Sequence, residues 1–373
     1  MPQSNAFKFA NNILTNGGYD AADLVGAAAA GASAFRNIVI NGDMQVAQRN
    51  TSVASITADG YYTCDRMGII IGSLGTWTQS QSTDVPTGQG FSKSLKMDCT
   101  TADASPAAGD YLILQQKIEG QNLQYLKKGT ANAQSLTLSF WVKSTKTGTF
   151  IAELLDNDNS RTINKSYTVS VSNTWEKKTI TFEGDTTGAF DNDNASSLQL
   201  QLWLGSGSDF NSGTLQTTWA SITNANRAVG QVNIADSTSN DWYITGIQLE
   251  AGTSATDFEF LPSDVNLQRC ERYYETFAMG CNGVAYASDS VDFAITFKTT
   301  KRAAPSGALL DTSIILDKAA TGSFTSSGAT IQGALYSKGG CALRMNGWSG
   351  LTSGSAQFTL YQDTDWVAFS SEL

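Results

Sequence analysis

The chain has 373 residues, of which 41% are hydrophobic and only 16% charged, and it contains no histidine. The lack of histidine excludes histidine-dependent catalytic triads and ordinary zinc hydrolase sites, because both rely on imidazole as base or ligand. A formal net charge of −10 repels nucleic-acid phosphates, so we expect no nucleic-acid partner.

The first 36 residues differ in composition from the rest of the chain. The opening MPQSNAFKFANNILTNGG lacks the apolar core of a signal peptide, and the following YDAADLVGAAAAGASAF is rich in alanine and glycine. Such a segment has too few large side chains to form a core of its own. We therefore expect residues 1–36 to dock onto a neighbouring subunit or another protein, with a floppy tail as the alternative.

Strand periodicity begins at Asn37 and continues to Pro262. Apolar residues occupy every second position of LTLSFWV at 136–142 and of LQLQLWL at 198–204. This period of two buries one face of each strand and leaves the other polar. Because the strands are short, separated by turn-rich segments and not interrupted by long helices, residues 37–262 are predicted to form an antiparallel β-sandwich.

The period changes after Pro262, where Ser263 can cap a helix and apolar residues recur every third or fourth position. This pattern predicts a junction helix over residues 263–277. Alternation returns at VDFAITFK, residues 291–298, and predicts a smaller β domain over residues 278–373. No stretch of the sequence is long and apolar enough for a membrane span, so we expect no membrane insertion.

Five cysteines are present, with no CxxC pair and no regular spacing. An odd number without a framework favours free, buried thiols in a protein made in a reducing cytoplasm. We therefore expect no disulfide bonds to staple this fold.

Several motifs in a fixed order carry a family resemblance. They are NIVINGDMQVAQRN at 37–50, SLTLSFWVKSTKTGTF at 135–150, ITGIQLEAGTSATDFEFLPSDVNLQRCERYYE at 244–275, KRAAP at 301–305 and the terminal SSEL. Together these motifs resemble the tail-fibre and virion-appendage proteins of bacteriophages, whose sandwich is a jelly roll similar to carbohydrate-binding modules. The resemblance implies an all-β chain with an antiparallel jelly-roll β-sandwich, a short helix and a smaller C-terminal β domain.

The resemblance also implies a function. It suggests a non-catalytic virion fibre protein, assembled in the host cytoplasm, that forms a homotrimer and contacts other virion proteins through the N-terminal segment. Its ligand would be a bacterial surface polysaccharide or lipopolysaccharide, bound without covalent chemistry and strengthened by avidity. One alternative is a head fibre, decoration, collar or tail connector protein that contacts virion proteins alone. Another is a glycan depolymerase, although no pair of carboxylates stands out in the sequence.

Candidate carbohydrate contacts are tryptophans expected outside the core, with polar neighbours. An exposed indole can stack on the apolar face of a sugar ring, and amide side chains can bond its hydroxyl groups. Packing under a loop or across a subunit interface is the competing explanation for these rings. The candidates are Trp77, Trp141, Trp203 and Trp219, with Gln199 and Gln201.

Two acidic loops, LLDNDNSR and AFDNDNAS, place oxygen ligands at alternate positions, as a calcium site does. Neither loop has the glycine and distant glutamate of an EF-hand, and Asx-rich turns take the same form without metal. No other cofactor is indicated. The candidate calcium ligands are Asp156, Asp158 and Asn159 in the first loop, and Asp191, Asp193 and Asn194 in the second.

Overall fold

The computed structural model describes residues 35–278, 281–318, 322–354, 358–360 and 364–373. The predicted docking segment, residues 1–36, lies outside the described residues apart from its last two. Asn37–Leu373 packs as a single unit. None of its described helices has the length and hydropathy needed to cross a bilayer.

The first part of this unit is built from thirteen strands in the described residues, joined by turns, four single-turn 3-10 helices and one short α-helix, α1 (Ser208–Asn211). The strands are β1 (Ser52–Ile56), β2 (Gly60–Tyr61), β3 (Gly68–Gly72), β4 (Thr76–Ser82), β5 (Ser94–Thr101), β6 (Tyr111–Glu119), β7 (Leu136–Ser144), β8 (Gly148–Asp156), β9 (Arg161–Val169), β10 (Glu176–Phe182), β11 (Ser196–Ser206), β12 (Ala220–Ser221) and β13 (Asp241–Ala251).

These strands form two stacked sheets. The six-stranded sheet has the order β1-β4-β5-β13-β7-β10, and the seven-stranded sheet has the order β12-β9-β8-β11-β6-β3-β2. Neighbouring strands run antiparallel in both sheets, and β13, the last strand, lies between β5 and β7. The predicted antiparallel jelly-roll β-sandwich is therefore confirmed.

The core lies between the two sheets and follows the alternation of the sequence. Leu138, Phe140 and Val142 of β7 and Leu200 and Leu202 of β11 are all 2% exposed or less. Burying a side chain of this size stabilises the fold by about 2 kcal/mol. A slip of one residue would turn such a row to solvent, so the apolar pattern holds each strand in register.

The second part of the unit is the smaller C-terminal β domain, which is also confirmed. Its strands are β14 (Tyr274–Phe277), β15 (Asn282–Ala285), β16 (Ser290–Thr296), β17 (Ser306–Leu309), β18 (Ile315–Lys318), β19 (Gly322–Thr325), β20 (Thr330–Tyr336), β21 (Gly340–Asn346), β22 (Phe358–Leu360) and β23 (Val367–Ser370). They pair as a three-stranded sheet, β14-β23-β17, and a seven-stranded sheet, β19-β18-β22-β15-β16-β21-β20.

A separate core fills this domain, with Phe293, Leu343 and Trp366 almost fully buried. All five cysteines are free and buried, as the sequence predicted. The domain and the sandwich therefore each depend on apolar packing instead of cross-links.

The junction helix is shorter than predicted. The helix α2 spans Ser263–Glu271, whereas Tyr274–Phe277 forms β14 and pairs with β23. The helical prediction over 272–277 is wrong because tyrosine, threonine and phenylalanine also favour extended backbone, and here a partner strand satisfies their hydrogen bonds. Local periodicity could not reveal that partner, since it lies about ninety residues further along the chain.

The two parts meet in a polar junction, most of whose residues belong to the resemblance motifs. Arg66 is fully buried, stacks 3.6 Å from the ring centroid of Tyr273 and pairs with the Glu372 carboxylate. Arg49 stacks 3.6 Å from the ring of Tyr274 and lies 3.2 Å from Glu372 Oε1. We call these five residues the junction cluster. Stacked, ion-paired arginines of this kind hold the two parts in one orientation.

Two further charged contacts extend the junction. Arg272 donates two hydrogen bonds to Glu119 of β6, at 2.7 and 2.6 Å. Lys301 of the KRAAP motif pairs with Glu275, and both side chains are fully buried. The motifs that carry the family resemblance therefore hold the architecture together at this junction.

Candidate functional site

Trp77 does not lie at the surface, contrary to the sequence-based expectation. It is 0% exposed on the inner face of β4, and its Nε1 donates to the backbone carbonyl of Leu74 at 2.7 Å. The strand reads TWTQSQS, so its polar neighbours suggested exposure. The inward row also contains Gln79, which is itself buried. Trp77 is therefore a core residue and is removed from the carbohydrate candidates.

Trp203 lies on the outer face of the seven-stranded sheet but is covered. The segment 207–233 folds over it, bringing Phe210 and Ala228 against the ring, which is 0% exposed. Its Nε1 donates to Glu153 Oε2 at 2.8 Å, and Arg227 lies 5.1 Å from its ring centroid. Packing under a loop, the competing explanation, is correct for this residue.

The two glutamine candidates bond to the protein itself. Gln201 is 2% exposed, accepts a hydrogen bond from Arg227 at 2.9 Å and donates to Gln199 Oε1 at 2.9 Å. Gln199 is half-buried beside it. Trp219 is also half-buried, and its Nε1 donates to the Glu183 carbonyl at 2.7 Å. None of these three side chains lies in the groove described next.

Trp141 lies in a groove of about 340 Å³ on the outer face of the six-stranded sheet. It is half-buried in β7, with Thr245 of β13 on one side and Lys177 of β10 on the other. The alternation that buries Phe140 and Val142 points Trp141 outward. The groove is lined by Gly88, Gln89, Phe91, Ser139, Trp141, Lys177, Gly246, Asp257, Phe258 and Phe260.

Three phenylalanines form one wall of this groove, and the sequence analysis did not identify them. The ring centroids of Phe91, Phe258 and Phe260 lie 4.9 to 5.1 Å apart, and Phe260 is 51% exposed. A glycine makes room for them. Gly246 has φ +63°, and a Cβ there would come within 2.5 Å of the Phe91 ring. The register of β13 shifts beside it, between Thr245 and Gln248, which bends the strand.

A second aromatic row follows on the same face. Lys143, two residues after Trp141, lies opposite Tyr243 and 4.2 Å from its ring centroid. Trp175 packs edge-on against Tyr243, with centroids 6.2 Å apart. Residues two apart on a strand are separated by about 7 Å, so this row lies about 7 Å from the first. This row was not predicted from the sequence, although Trp175 and Lys177 in TWEKKTITF have the spacing of residues on one face of a strand.

Asp84 fixes the geometry of the second row. It pairs with Lys143, and its Oδ1 accepts a hydrogen bond from Trp175 Nε1 at 2.9 Å. Burial alone would raise the pKa of Asp84, but the hydrogen bonds from Lys143 and Trp175 lower it below its ordinary value. The carboxylate is therefore ionised near neutral pH and orients both side chains. The two rows together can stack apolar faces of a ligand and offer hydrogen bonds at its edges.

The first acidic loop uses its oxygen atoms internally. Asp156 is fully buried, and its Oδ2 lies 2.5 Å from Lys128 Nζ. The Asn159 side chain also donates to Asp156 at 2.9 Å. Asp158 accepts a hydrogen bond from the backbone N–H of Asp191 at 2.9 Å, which ties this loop to the second. The Lys128 ammonium group thus neutralises the charge of Asp156 at the position that a metal cation would otherwise occupy.

The second acidic loop is likewise satisfied by the protein. Asp193 accepts a hydrogen bond from the backbone N–H of Ala195 at 2.9 Å, and Asn194 donates to the Arg302 carbonyl at 2.5 Å. Across the part of the chain that the structure describes, no group of three or more acidic or cysteine side chains is placed to hold a metal. These contacts match the Asx-turn alternative to a calcium site.

Comparisons with known proteins find weak structural likenesses and no sequence match. No family model and no curated protein sequence matches the chain. Among solved structures, the enzymatically active domain of bacteriophage CBA120 tailspike protein 4 is 17% identical with a TM-score of 0.31, and the match covers 59% of this chain and 22% of that one. The chain therefore spans less than a quarter of that structure's length.

Two sugar-binding structures match at a similar level. TmCBM61 in complex with β-1,4-galactotriose is 8% identical with a TM-score of 0.29, covering 58% of this chain and 99% of that one. The N-terminal cellulose-binding domain of Cellulomonas fimi β-1,4-glucanase C is 12% identical with a TM-score of 0.25, covering 50% and 90%. Likenesses this weak carry no argument about what the present chain binds.

Proposed function

We propose that this protein binds a bacterial surface glycan through the groove around Trp141 and serves as a virion attachment protein. The observation that carries the proposal is the aromatic lining of an open sheet face. Trp141 forms the floor, Phe258 and Phe260 form a wall, and Tyr243 with Trp175 continues the surface in the next row. The sugar rings of a glycan can stack on these side chains without a conformational change in the protein, because the aromatic rings are already in place.

The proposed action is binding without catalysis. A glycoside hydrolase needs two carboxyl groups about 5 to 10 Å apart, one of them protonated to act as an acid. Among the described residues that line the groove, Asp257 is the sole carboxylate. Asp84, in the neighbouring row, is ion-paired with Lys143 and has a lowered pKa, which makes it unsuitable as an acid.

The place in a virion and the homotrimeric state follow from the family resemblance of the sequence motifs. Several copies in one fibre would present several grooves to a repetitive polysaccharide. Weak single sites then give firm attachment through effective concentration. The N-terminal segment would supply the contact to other virion proteins.

The test is binding of purified protein to intact bacteria and to their extracted surface polysaccharides. Trp141→Ala should weaken binding about tenfold, since loss of one stacked ring corresponds to about 1.4 kcal/mol. Trp219→Ala is the matched control, because Trp219 is also a half-buried tryptophan but lies outside the groove.

Equal affinities for wild type and Trp141→Ala would exclude this groove as the glycan site. Binding to neither cells nor polysaccharide would favour a protein that contacts other virion components instead.

A further inference from the structure

On the outer face of the six-stranded sheet, Lys177 is the one outward lysine that no described carboxylate neutralises. Lys96 lies 2.9 Å from Asp241, and Lys143 is paired with Asp84. Lys177 is exposed and, among the described residues, has no carboxylate within salt-bridge distance. No described carboxylate therefore competes with an external anion for its ammonium group.

The position of Lys177 connects this charge to the groove. Lys177 lies directly opposite Trp141 in the ladder between β10 and β7, and both line the groove. Cα atoms of such partners are about 5 Å apart. A sugar stacked on the Trp141 ring would thus have its edge within reach of the lysine side chain.

Building on the proposed function, we propose that the bound glycan is acidic. An anionic substituent of one sugar, a carboxylate or a phosphate, pairs with Lys177 while that sugar's ring stacks on Trp141. The net charge of −10 does not oppose this pairing, because at physiological salt charges more than about 8 Å away are largely screened. A polysaccharide with one acid per repeat also has far less charge per length than nucleic acid.

Asp257 also lines the groove and carries a charge opposite to that of Lys177, so its substitution serves as a control. Its exposed carboxylate repels an anionic ligand but could accept hydrogen bonds from the hydroxyls of a neutral one. An acidic ligand therefore predicts that Asp257→Asn strengthens binding or leaves it unchanged. A neutral ligand bound through Asp257 predicts that the same substitution weakens it.

The experiment compares acidic polysaccharides with neutral derivatives of the same chain. The probes are polygalacturonate and hyaluronan before and after chemical reduction of their carboxylates to alcohols, and a phosphate-bearing mannan before and after phosphatase treatment. Binding is measured by calorimetry for the full chain and for Trp141→Ala, Lys177→Gln and Asp257→Asn. The carboxylate and phosphate arms identify which anion the site prefers.

We expect at least one acidic probe to bind and its neutral derivative to bind more weakly. Lys177→Gln should reduce affinity for the acidic probe about two- to fivefold, and should remove most of the salt dependence. Its affinity for the neutral derivative should not change.

Three results with the wild-type protein would overturn the inference: preference for neutral probes, equal binding of a probe and its neutral derivative, or binding by none of the acidic probes. If Trp141→Ala loses binding while Lys177→Gln binds the acidic probe with unchanged affinity, the acidic ligand is rejected but the groove remains the glycan site. Full binding by Trp141→Ala would instead reject the proposed function itself.

Discussion

At the scale of single residues, glycine at position 246 is required by the wall of the groove. Its positive φ and the closeness of the Phe91 ring both disfavour a side chain. Gly350 has a similar positive φ of +78°, but a Cβ added there would have no atom within 4 Å, so this position shows the backbone strain without the steric clash.

Gly246→Ala should therefore destabilise the fold by about 2 to 3 kcal/mol, and Gly350→Ala by about 1 kcal/mol. Urea unfolding of both variants would measure the difference. Gly246→Ala should also weaken glycan binding, because the Phe91 ring must move. Equal losses in the free energy of unfolding for the two substitutions would show that the Phe91 ring can move to accommodate the added methyl group.

A second residue-scale prediction concerns pH and Asp65. Burial raises the pKa of Asp65 to about 6, although Arg49 and Gln48 act in the opposite direction. Because the folded pKa lies above the unfolded one, the carboxyl stabilises the fold at low pH, and this contribution is lost as the pH rises through about 6. The full change corresponds to about 3 kcal/mol.

Asp65→Asn removes the titrating group while keeping its shape. Relative to this variant, the wild type should lose stability as the pH rises from 4 to 7. Denaturant unfolding at several pH values would measure the trend. A constant difference between the two proteins would mean that the pKa of Asp65 is not raised into this pH range on folding.

At the scale of structural elements, the two aromatic rows make the sheet face longer than a single sugar. The rows are about 7 Å apart, so a short oligosaccharide can occupy the first row alone. Trp175→Ala removes the half-buried indole ring of the second row, yet leaves Trp141 and the phenylalanine wall in place.

Trp175→Ala should weaken binding of a hexasaccharide of the preferred glycan severalfold and leave its disaccharide unaffected. Calorimetric titration with the hexasaccharide and the disaccharide would test this. The Trp141→Ala variant is the comparison, because it should bind both oligosaccharides more weakly. An equal effect on the two lengths would place Trp175 in a structural role through Asp84 and Lys143.

At the scale of the whole molecule, the junction cluster should couple the unfolding of the sandwich and the C-terminal domain. Glu372→Ala leaves the fully buried Arg66 guanidinium without its carboxylate. Removing one partner of a buried ion pair costs about 3 to 5 kcal/mol. The loss should fall on the contact between the two parts, since each has a core of its own.

Scanning calorimetry should therefore show one transition for the wild type and two for Glu372→Ala. Lys165→Ala serves as the control, because its pair with the 62% exposed Glu183 contributes less than about 1 kcal/mol. A single, unshifted transition in Glu372→Ala would mean that the junction cluster does not couple the two parts.

Much of the architecture was predictable from the sequence, because a period of two residues is a local property. The alternating residues of β7 and β11 predict two half-buried strands, and Pro262 with Ser263 predicts where a helix begins. The end of that helix was not predictable. Tyr274–Phe277 becomes a strand because β23 pairs with it, and that partner is remote in the sequence.

The candidate site was less predictable from the sequence than the architecture, because it depends more on the tertiary structure. Trp141 in LSFWV and Trp203 in LQLWL occupy equivalent outward positions in their strands, so the sequence treats them alike. Segment 207–233 covers Trp203, whereas the loops carrying Phe91 and Phe258 leave a groove over Trp141. In β7 and β11 the sequence by itself determined which side chains leave the core, because their apolar residues alternate strictly; the mixed strand that holds Trp77 was decided by the tertiary structure. Which of them remain open to a ligand was decided by the long connections, because their packing depends on contacts between distant parts of the chain.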